Sequence, residues 1–306
     1  MTDAPAIAAP TIEVAQQSVA PRRSRRFDFL TFGLGLWAVV VYVFLFLPIV
    51  FVVAHSFNSG RAFLVWDSFS TEPYSDLWTN EALKKALSNS FKVAIGSTII
   101  ATVIGGFAGV ALARRGGAWA KPFLLIVFLI LVTPEIVDAI GYLIWFVRLD
   151  GPLNPQNEWL VPAGLLRLWI GHSVFSSAVV TLIVRARLAG LDESLEEAAA
   201  DLGATPARAF RQITLPLMAP ALLAGALLAF TFSLDNTIVS AFVSVAGSTP
   251  FPVYVFGAVR AVLRPDIGAA ASLMLVLTLF ALGVVALVLR RSGESSSDVA
   301  ATLTGG

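Results

Sequence analysis

Three carboxylates interrupt stretches that are otherwise apolar: Glu135 and Asp138 in TPEIVDAIG, and Asp235 in FSLDNTIVS. An acid at the centre of a membrane-spanning helix costs about 3 kcal/mol on insertion scales, so each is a candidate for function. Glu135 and Asp138 are three residues apart and share one helix face. Pro134 precedes them and is expected to loosen the helix, freeing backbone carbonyls. A path lined by such acids suits an organic cation and opposes an anion such as sulfate or molybdate. Tyr142, Trp145 and Trp169 follow at positions where ring faces can pack ammonium or methylene groups. Structural roles would account for the same residues. Asp235 with Asn236 fits a helix-end or gate hydrogen-bond pair. Glu135 and Asp138 fit caps of a broken helix or bonds to a neighbouring span. Trp145 and Trp169 fit an interfacial belt. His172 fits a satisfied interhelical donor. Arg260 and Arg264 fit pairing with acids on another protein, or exposure to water. The Gly105-x-x-x-Gly109 pair fits close helix packing.

The elements that hold these residues follow from composition. Of 306 residues, 57% are hydrophobic and 13% charged, about half the charged share of a soluble domain. A soluble core cannot absorb that much apolar surface, which makes the bilayer the natural solvent. The net charge of +1 gives no sign of nucleic acid. Absence of cysteine removes disulfides, thiolate metal sites and thiol nucleophiles, and two histidines make no metal centre. Six apolar runs are long enough to span: roughly 30–54, 91–113, 122–146, 165–187, 217–242 and 268–289. With the N-terminus inside, thirteen of the 21 Lys and Arg residues fall on the inner side, so the charge bias predicts both termini in the cytoplasm. On this reading Glu135 lies ~20 Å along its helix, slightly past mid-membrane, and Asp235 lies further out. The RRSRR cluster precedes an apolar run too long for a cleaved leader, which predicts an uncleaved first span. Residues 1–28 and 292–306 read as disordered cytoplasmic tails flanking one domain, 29–291.

Only one inner loop is substantial. Between the fourth and fifth spans stands ESLEEAAADLGATPARAFRQITLP. Asp192 can cap a first short helix and Gly203 can stop it in a left-handed conformation. Thr205 and Pro206 open a second, expected to run to Pro216 and break there. Ala198 and Ala199 present a side with almost no side chain, and Leu195, Leu202, Phe210 and Ile213 supply apolar anchors. A helix lying across the membrane face transmits a push only if both its ends are fixed. On physical grounds alone an amphipathic loop resting on the membrane surface explains the segment equally well.

The pattern Glu197-Ala198-Ala199, three residues, Gly203, nine residues, Ile213, one residue, Leu215-Pro216 resembles the EAA loop of ABC-importer permeases. Further stretches resemble the spermidine/putrescine permeases of the PotC type: PIVFVVAHSFN, SNSFKVAIGSTIIATVIGGFAGVALARR, TPEIVDAIG and FSLDNTIVSAFV, with GSTPFPVYVFGAVRAVLRPDI. The similarity covers roughly residues 30–290. It implies an all-α, six-span permease of the type I, MetI-like fold in a bacterial plasma membrane, with the first span wrapping a partner. Residues 192–216 are then a coupling loop docking on a cytoplasmic ATPase homodimer. A second related permease subunit and an extracytoplasmic binding protein complete the assembly. The resemblance implies a transport subunit and not an enzyme, with ATP and Mg held by the ATPase and no cofactor on this chain. None of the four lysines follows a glycine, so no phosphate loop is present. The rivals are a permease of the same machinery for iron, thiamine or an opine, and a secondary transporter driven by an ion gradient. The latter favours repeated halves with broken helices, and no repeat is visible here.

Overall fold

The computed structural model describes residues 29–148, 163–260 and 263–291, and the expected tails, the RRSRR cluster and most of the loop 147–164 lie outside them. Among the described residues all regular structure is helical apart from one isolated bridge, Asn58 with Phe69. The chain divides into two units, residues 1–49 and 50–306. The first unit holds most of helix α1 (Phe29–His55), whose sequence is apolar on every side. A helix with no polar face requires an apolar solvent.

The second unit contains α2 (Glu72–Thr79), α3 (Glu81–Arg114), α4 (Ala120–Val132), α5 (Glu135–Arg148) and α6 (Ala163–Ala189). After α7 (Ser194–Asp201) and α8 (Pro206–Ala209) comes a π-helical segment (Phe210–Thr214). Then follow α9 (Leu215–Asp235), α10 (Ile238–Val243), α11 (Phe251–Val259) and α12 (Pro265–Arg291). Among the described residues five helical stretches are long and apolar enough to cross a membrane, and α4 with α5 makes a sixth crossing if that bent pair counts as one. The first, fourth and sixth predicted spans agree with α1, α6 and α12 within three residues at each end.

The other three are corrected. The second span starts ten residues earlier than hydropathy indicates. Asn80 caps α3 by accepting from the Leu83 amide at 3.2 Å, and Leu83 and Leu87 bury themselves against Leu77 and Phe251. Hydropathy detects lipid-facing residues, while this turn is held by protein. The third span, 122–146, is not one helix: α4 and α5 meet at 104°. The pyrrolidine of Pro134 bars Thr133 from helical geometry, and Thr133 sits at φ −62°, ψ 130°. The fifth span ends at Asp235, because Asn236 is extended at ψ 104° and α10 begins afresh. Asn236 accepts the Ser240 amide on its side-chain oxygen, an alternative to the helical ladder that asparagine favours.

Pro216 was expected to break the chain between loop and span, but helix runs from Pro206 to Asp235. The π segment explains this. The Leu215 amide reaches back five residues to the Phe210 carbonyl, a wider turn that accommodates a proline with no N–H and a ring that crowds the carbonyl four residues before it.

Helices α3, α6 and α9 pack around Ala101, Val180, Val184, Leu188, Met218 and Ala229. Between helices surrounded by lipid there is little hydrophobic drive, so close van der Waals approach must hold them. The Gly105-x-x-x-Gly109 pair provides it. A Cβ on Gly105 would lie 2.6 Å from the Ser177 carbonyl oxygen, and one on Gly109 would lie 2.7 Å from Val184 Cβ. The outer surface of α3 stays apolar, with Ile95, Ile99, Val103, Ile104 and Phe107 exposed. Gly109→Ala is expected to cost about 1–3 kcal/mol through overpacking and to lower the melting temperature of the purified protein in detergent. Gly257→Ala, where a Cβ meets nothing within 4 Å, should leave that temperature unchanged or raise it.

Candidate functional site

The two interruptions in the spans face one another. They border a cavity of about 500 Å³ lined by Glu135, Asp138 and Tyr142 of α5, by Asp235 and Asn236 at the end of α9, and by His172 of α6. Five of the six residues proposed from sequence for a substrate path are therefore brought together. The sixth, Trp145, does not line the cavity; it is exposed, with its ring 5.1 Å from that of Phe146. Trp169 is also elsewhere. Its indole nitrogen donates to the Lys92 carbonyl at 2.8 Å, and its ring lies over Gly96, where a Cβ would come within 2.1 Å of it. It is a packing residue between α3 and α6.

The chemistry of the cavity follows from its breaks. Glu135 and Asp138 stand in the first turn of α5, where the partial positive charge of unpaired amides favours carboxylates. Glu135 also accepts a hydrogen bond from the Asn236 side-chain amide, joining one break to the other. The neighbour-bonding role left open for Glu135 is thus present, and Asn236 pairs with Glu135 through its side chain. Asp235 is exposed and also borders a second, more apolar cavity of about 580 Å³ with Phe251, Val255 and Met274. Among the described residues lining the first cavity there are three carboxylates and no Lys or Arg.

His172 is buried, and both ring nitrogens are engaged: Nδ1 with Ser233 Oγ at 2.7 Å and Nε2 with Ser240 Oγ at 3.0 Å. Ser97 donates to the same Ser233 hydroxyl at 2.9 Å. The imidazole therefore ties α9 to α10 across the break at Asn236. Sequence reading found His172 as an interhelical donor but missed the serines. A serine in a span carries no signal of its partner. Gly171 lets α6 approach this region, since a Cβ there would stand 3.0 Å from Val239. Arg260 and Arg264 are both exposed and neither lines the acidic cavity; Arg264 in addition pairs within the chain with the buried Asp266 at 3.1 Å, and Arg260 lies over the Phe256 ring at 4.9 Å.

The proposed coupling segment forms a second site. Helix α7 begins where the Ser194 amide donates to the Asp192 carboxylate at 2.9 Å, a bond that holds that carboxyl below its usual range. It ends at Gly203, φ +82°, with the Ala204 amide on the Ala199 carbonyl and the Gly203 amide on that of Ala200. Those two bonds are the glycine-terminated stop that satisfies a helix's last carbonyls. Thr205 opens α8 through its backbone carbonyl, without a side-chain cap. Glu197, Ala198, Gly203 and Pro216 are exposed, Ile213 and Leu215 half-buried, and Ala199 buried. The expected bare face of Ala198 and Ala199 is thus split, one pointing out and the other in. Of the apolar anchors, Leu195 and Leu202 are exposed, Leu202 to 90%, whereas Phe210 stacks on Phe107 at 6.2 Å.

Arg114, one of the thirteen basic residues that the charge bias puts on the inner side, is bound into this segment. Its Nε donates to Glu196 at 3.1 Å, and its Nη1 donates to Glu193 at 3.2 Å and to the Leu188 carbonyl at 3.3 Å. Among the described residues no group of three or more His, Asp or Glu could hold a metal ion.

Comparison with known proteins places this architecture. The profile of the family described as binding-protein-dependent transport system inner membrane component matches residues 101–293. The chain is 37% identical over 244 residues to the putrescine transport system permease protein PotI of Escherichia coli K12, covering 78% of this chain and 85% of that one. It is 34% identical over 255 residues to the spermidine/putrescine transport system permease protein PotC of Haemophilus influenzae, covering 83% and 95%. Among solved structures, a bacterial ABC transporter involved in import of the acidic polysaccharide alginate has a chain with TM-score 0.63 at 16% identity, covering 89% of this chain and 99% of that one. A chain of the MetNI methionine ABC transporter in an inward-facing form has TM-score 0.55 at 18% identity, covering 72% and 98%. At such identity these likenesses speak to the fold, which is that of ABC-importer permeases. The helix pattern, the broken spans and the sequence match agree that this chain belongs to the binding-protein-dependent transport system inner membrane component family, as a membrane permease subunit and not an enzyme.

Proposed function

We propose that the chain forms the translocation path of an importer for a small organic cation, of the polyamine class. The observation that carries this is the cavity between the two helix breaks, lined by three carboxylates from α5 and α9 and free of Lys and Arg among its described lining residues. An ammonium group entering it meets the exposed Glu135 and Asp235 and the half-buried Asp138 beside the apolar Phe175, Phe232 and Val239, a setting where attraction exceeds its value in bulk solvent. Two or more ammonium groups on a flexible methylene chain match several carboxylates spread along one wall. The relatives named for putrescine and spermidine support the same class.

In the proposed mechanism α7 and the start of α8 dock on a cytoplasmic ATPase homodimer, which holds ATP and Mg. The exposed Glu197, Ala198 and Gly203, flanked by Leu195 and Leu202, are the contact. A second related permease subunit shares the path, and an extracytoplasmic binding protein delivers the cation. Both termini lie in the cytoplasm of a bacterial plasma membrane, and residues 29–291 act as one permease domain. ATP binding closes the ATPase dimer, α7 moves with it, and the path opens outward; hydrolysis returns it. Such coupling requires that the docking contact differ between the two ATPase states, because equal contacts shift nothing.

Two measurements test this. Asp235→Asn removes one charge-assisted contact and is expected to raise the KM for polyamine uptake by about ten-fold with the amount of assembled complex unchanged. Unaltered kinetics would remove Asp235 from the path, and tight binding of an anion by the cognate binding protein would overturn the cation class. Glu197→Lys is expected to leave membrane insertion intact but to abolish both uptake and retention of the ATPase on purification. Normal transport in that variant would refute the docking role.

A further inference from the structure

We infer that Arg114 is a strut that carries movement of α7 into the helix core, giving the coupling segment a third anchor beyond its two covalent ends. This rests on the docking role proposed for α7. Arg114 occupies the last turn of α3, where a cation is favoured by the helix dipole and by unpaired carbonyls. Its side chain is 13% exposed. From there one guanidinium reaches three other parts of the fold. Nε meets Glu196 in the first turn of α7, and Nη1 meets Glu193 just before that helix. Nη1 also takes the Leu188 carbonyl near the end of α6. The same Glu196 oxygen accepts the hydroxyl of Thr214, at the end of the π segment that feeds α9, at 2.9 Å.

The consequence is mechanical. A peptide connection through residues 190–193 or 202–205 can bend at Gly190 or Gly203 and absorb a displacement of α7. A planar fork of donors between two carboxylates resists such bending, because a shift breaks the partly buried bond to Glu196 and the exposed bond to Glu193 together. Helix α3 is itself locked to α6 by the glycine approaches at Gly105 and Gly109. A push on α7 therefore arrives at α3, α6 and α9 together. These helices carry Ser97, His172 and Ser233, the hydrogen-bonded group beside the break at Asn236. An arginine serving only as inner-face charge would need no carboxylates placed on both sides of its fork.

The test uses the complete importer, with its ATPase, sister permease and binding protein, reconstituted in liposomes. Solute uptake and ATP hydrolysis are measured together for Arg114→Met and Glu196→Gln, with Glu197→Lys alongside. The strut predicts that Arg114→Met retains the ATPase on purification while uptake per ATP hydrolysed falls about three- to thirty-fold, the range of coupling energies such networks carry. Glu196→Gln should fall in the same direction by less, and the exchange of Arg114→Glu with Glu196→Arg should recover part of the loss. An unchanged ratio of uptake to hydrolysis, whether the complex is abundant or scarce, overturns the inference. Should Arg114→Met yield no complex, Glu196→Gln decides by the same ratio, and loss of complex in both assigns the cluster to folding and overturns it too. Normal uptake and ATPase retention in Glu197→Lys would instead refute docking at α7, whatever Arg114 does.

Discussion

A helix that stops inside an apolar slab leaves amides and carbonyls without partners, and each such group in lipid costs several kcal/mol. The rest of this structure depends on how two such stops are satisfied. At Pro134 and at Asn236 the chain leaves helical geometry, and the two breaks are set against each other instead of against lipid. The side-chain amide of Asn236 gives one bond to Glu135 and its oxygen takes the Ser240 amide. His172 spans from Ser233 to Ser240 on the other side. The requirement to satisfy broken backbone and the presence of an acidic cavity are thus one feature. Polar groups that stabilise the breaks also line a space a cation can enter.

A cavity of this kind is useful to an importer only if something outside the membrane can move its walls. The molecule separates the two tasks. Close glycine contacts join α3 to α6 beside the Trp169–Lys92 bond, and such close approach suits a region surrounded by lipid. Two further polar clusters stand away from the breaks, at Arg114 on the side of α7 and at Asp266 on the side of α11. Asp266 is 2% exposed and receives Arg264, the Asn80 amide and the Ile267 amide.

Much of this was legible in the residues. Pro134 marked a weak point in its helix, Gly203 marked a stop, and Gly105 with Gly109 marked a close approach; all three are found as such. Pro216 misled, because its effect depends on the turn before it, and a π turn has no signature in a single sequence. The early start of α3 was missed for a different reason. Hydropathy reports contact with lipid, and residues 81–90 are helical through contact with α2 and α11. The division of Ala198 from Ala199 turned on which face of a short helix meets the body of the protein, and two adjacent alanines carry no such information.

By itself the sequence determined that the chain is a membrane protein built of helices, where most of those helices run, and that one inner loop has the pattern of an ABC-importer permease. These follow from local quantities: apolar length, turn-forming residues and motif spacing. Only the tertiary structure decided that Glu135, Asp138 and Asp235 share a cavity, that Trp145 and Trp169 do not, and that Arg114 is tied to the coupling segment. Such pairings join residues separated by as many as a hundred positions, as with Glu135 and Asn236. They depend on how closely helices approach and at what angle, and no residue type encodes which partner will stand opposite it.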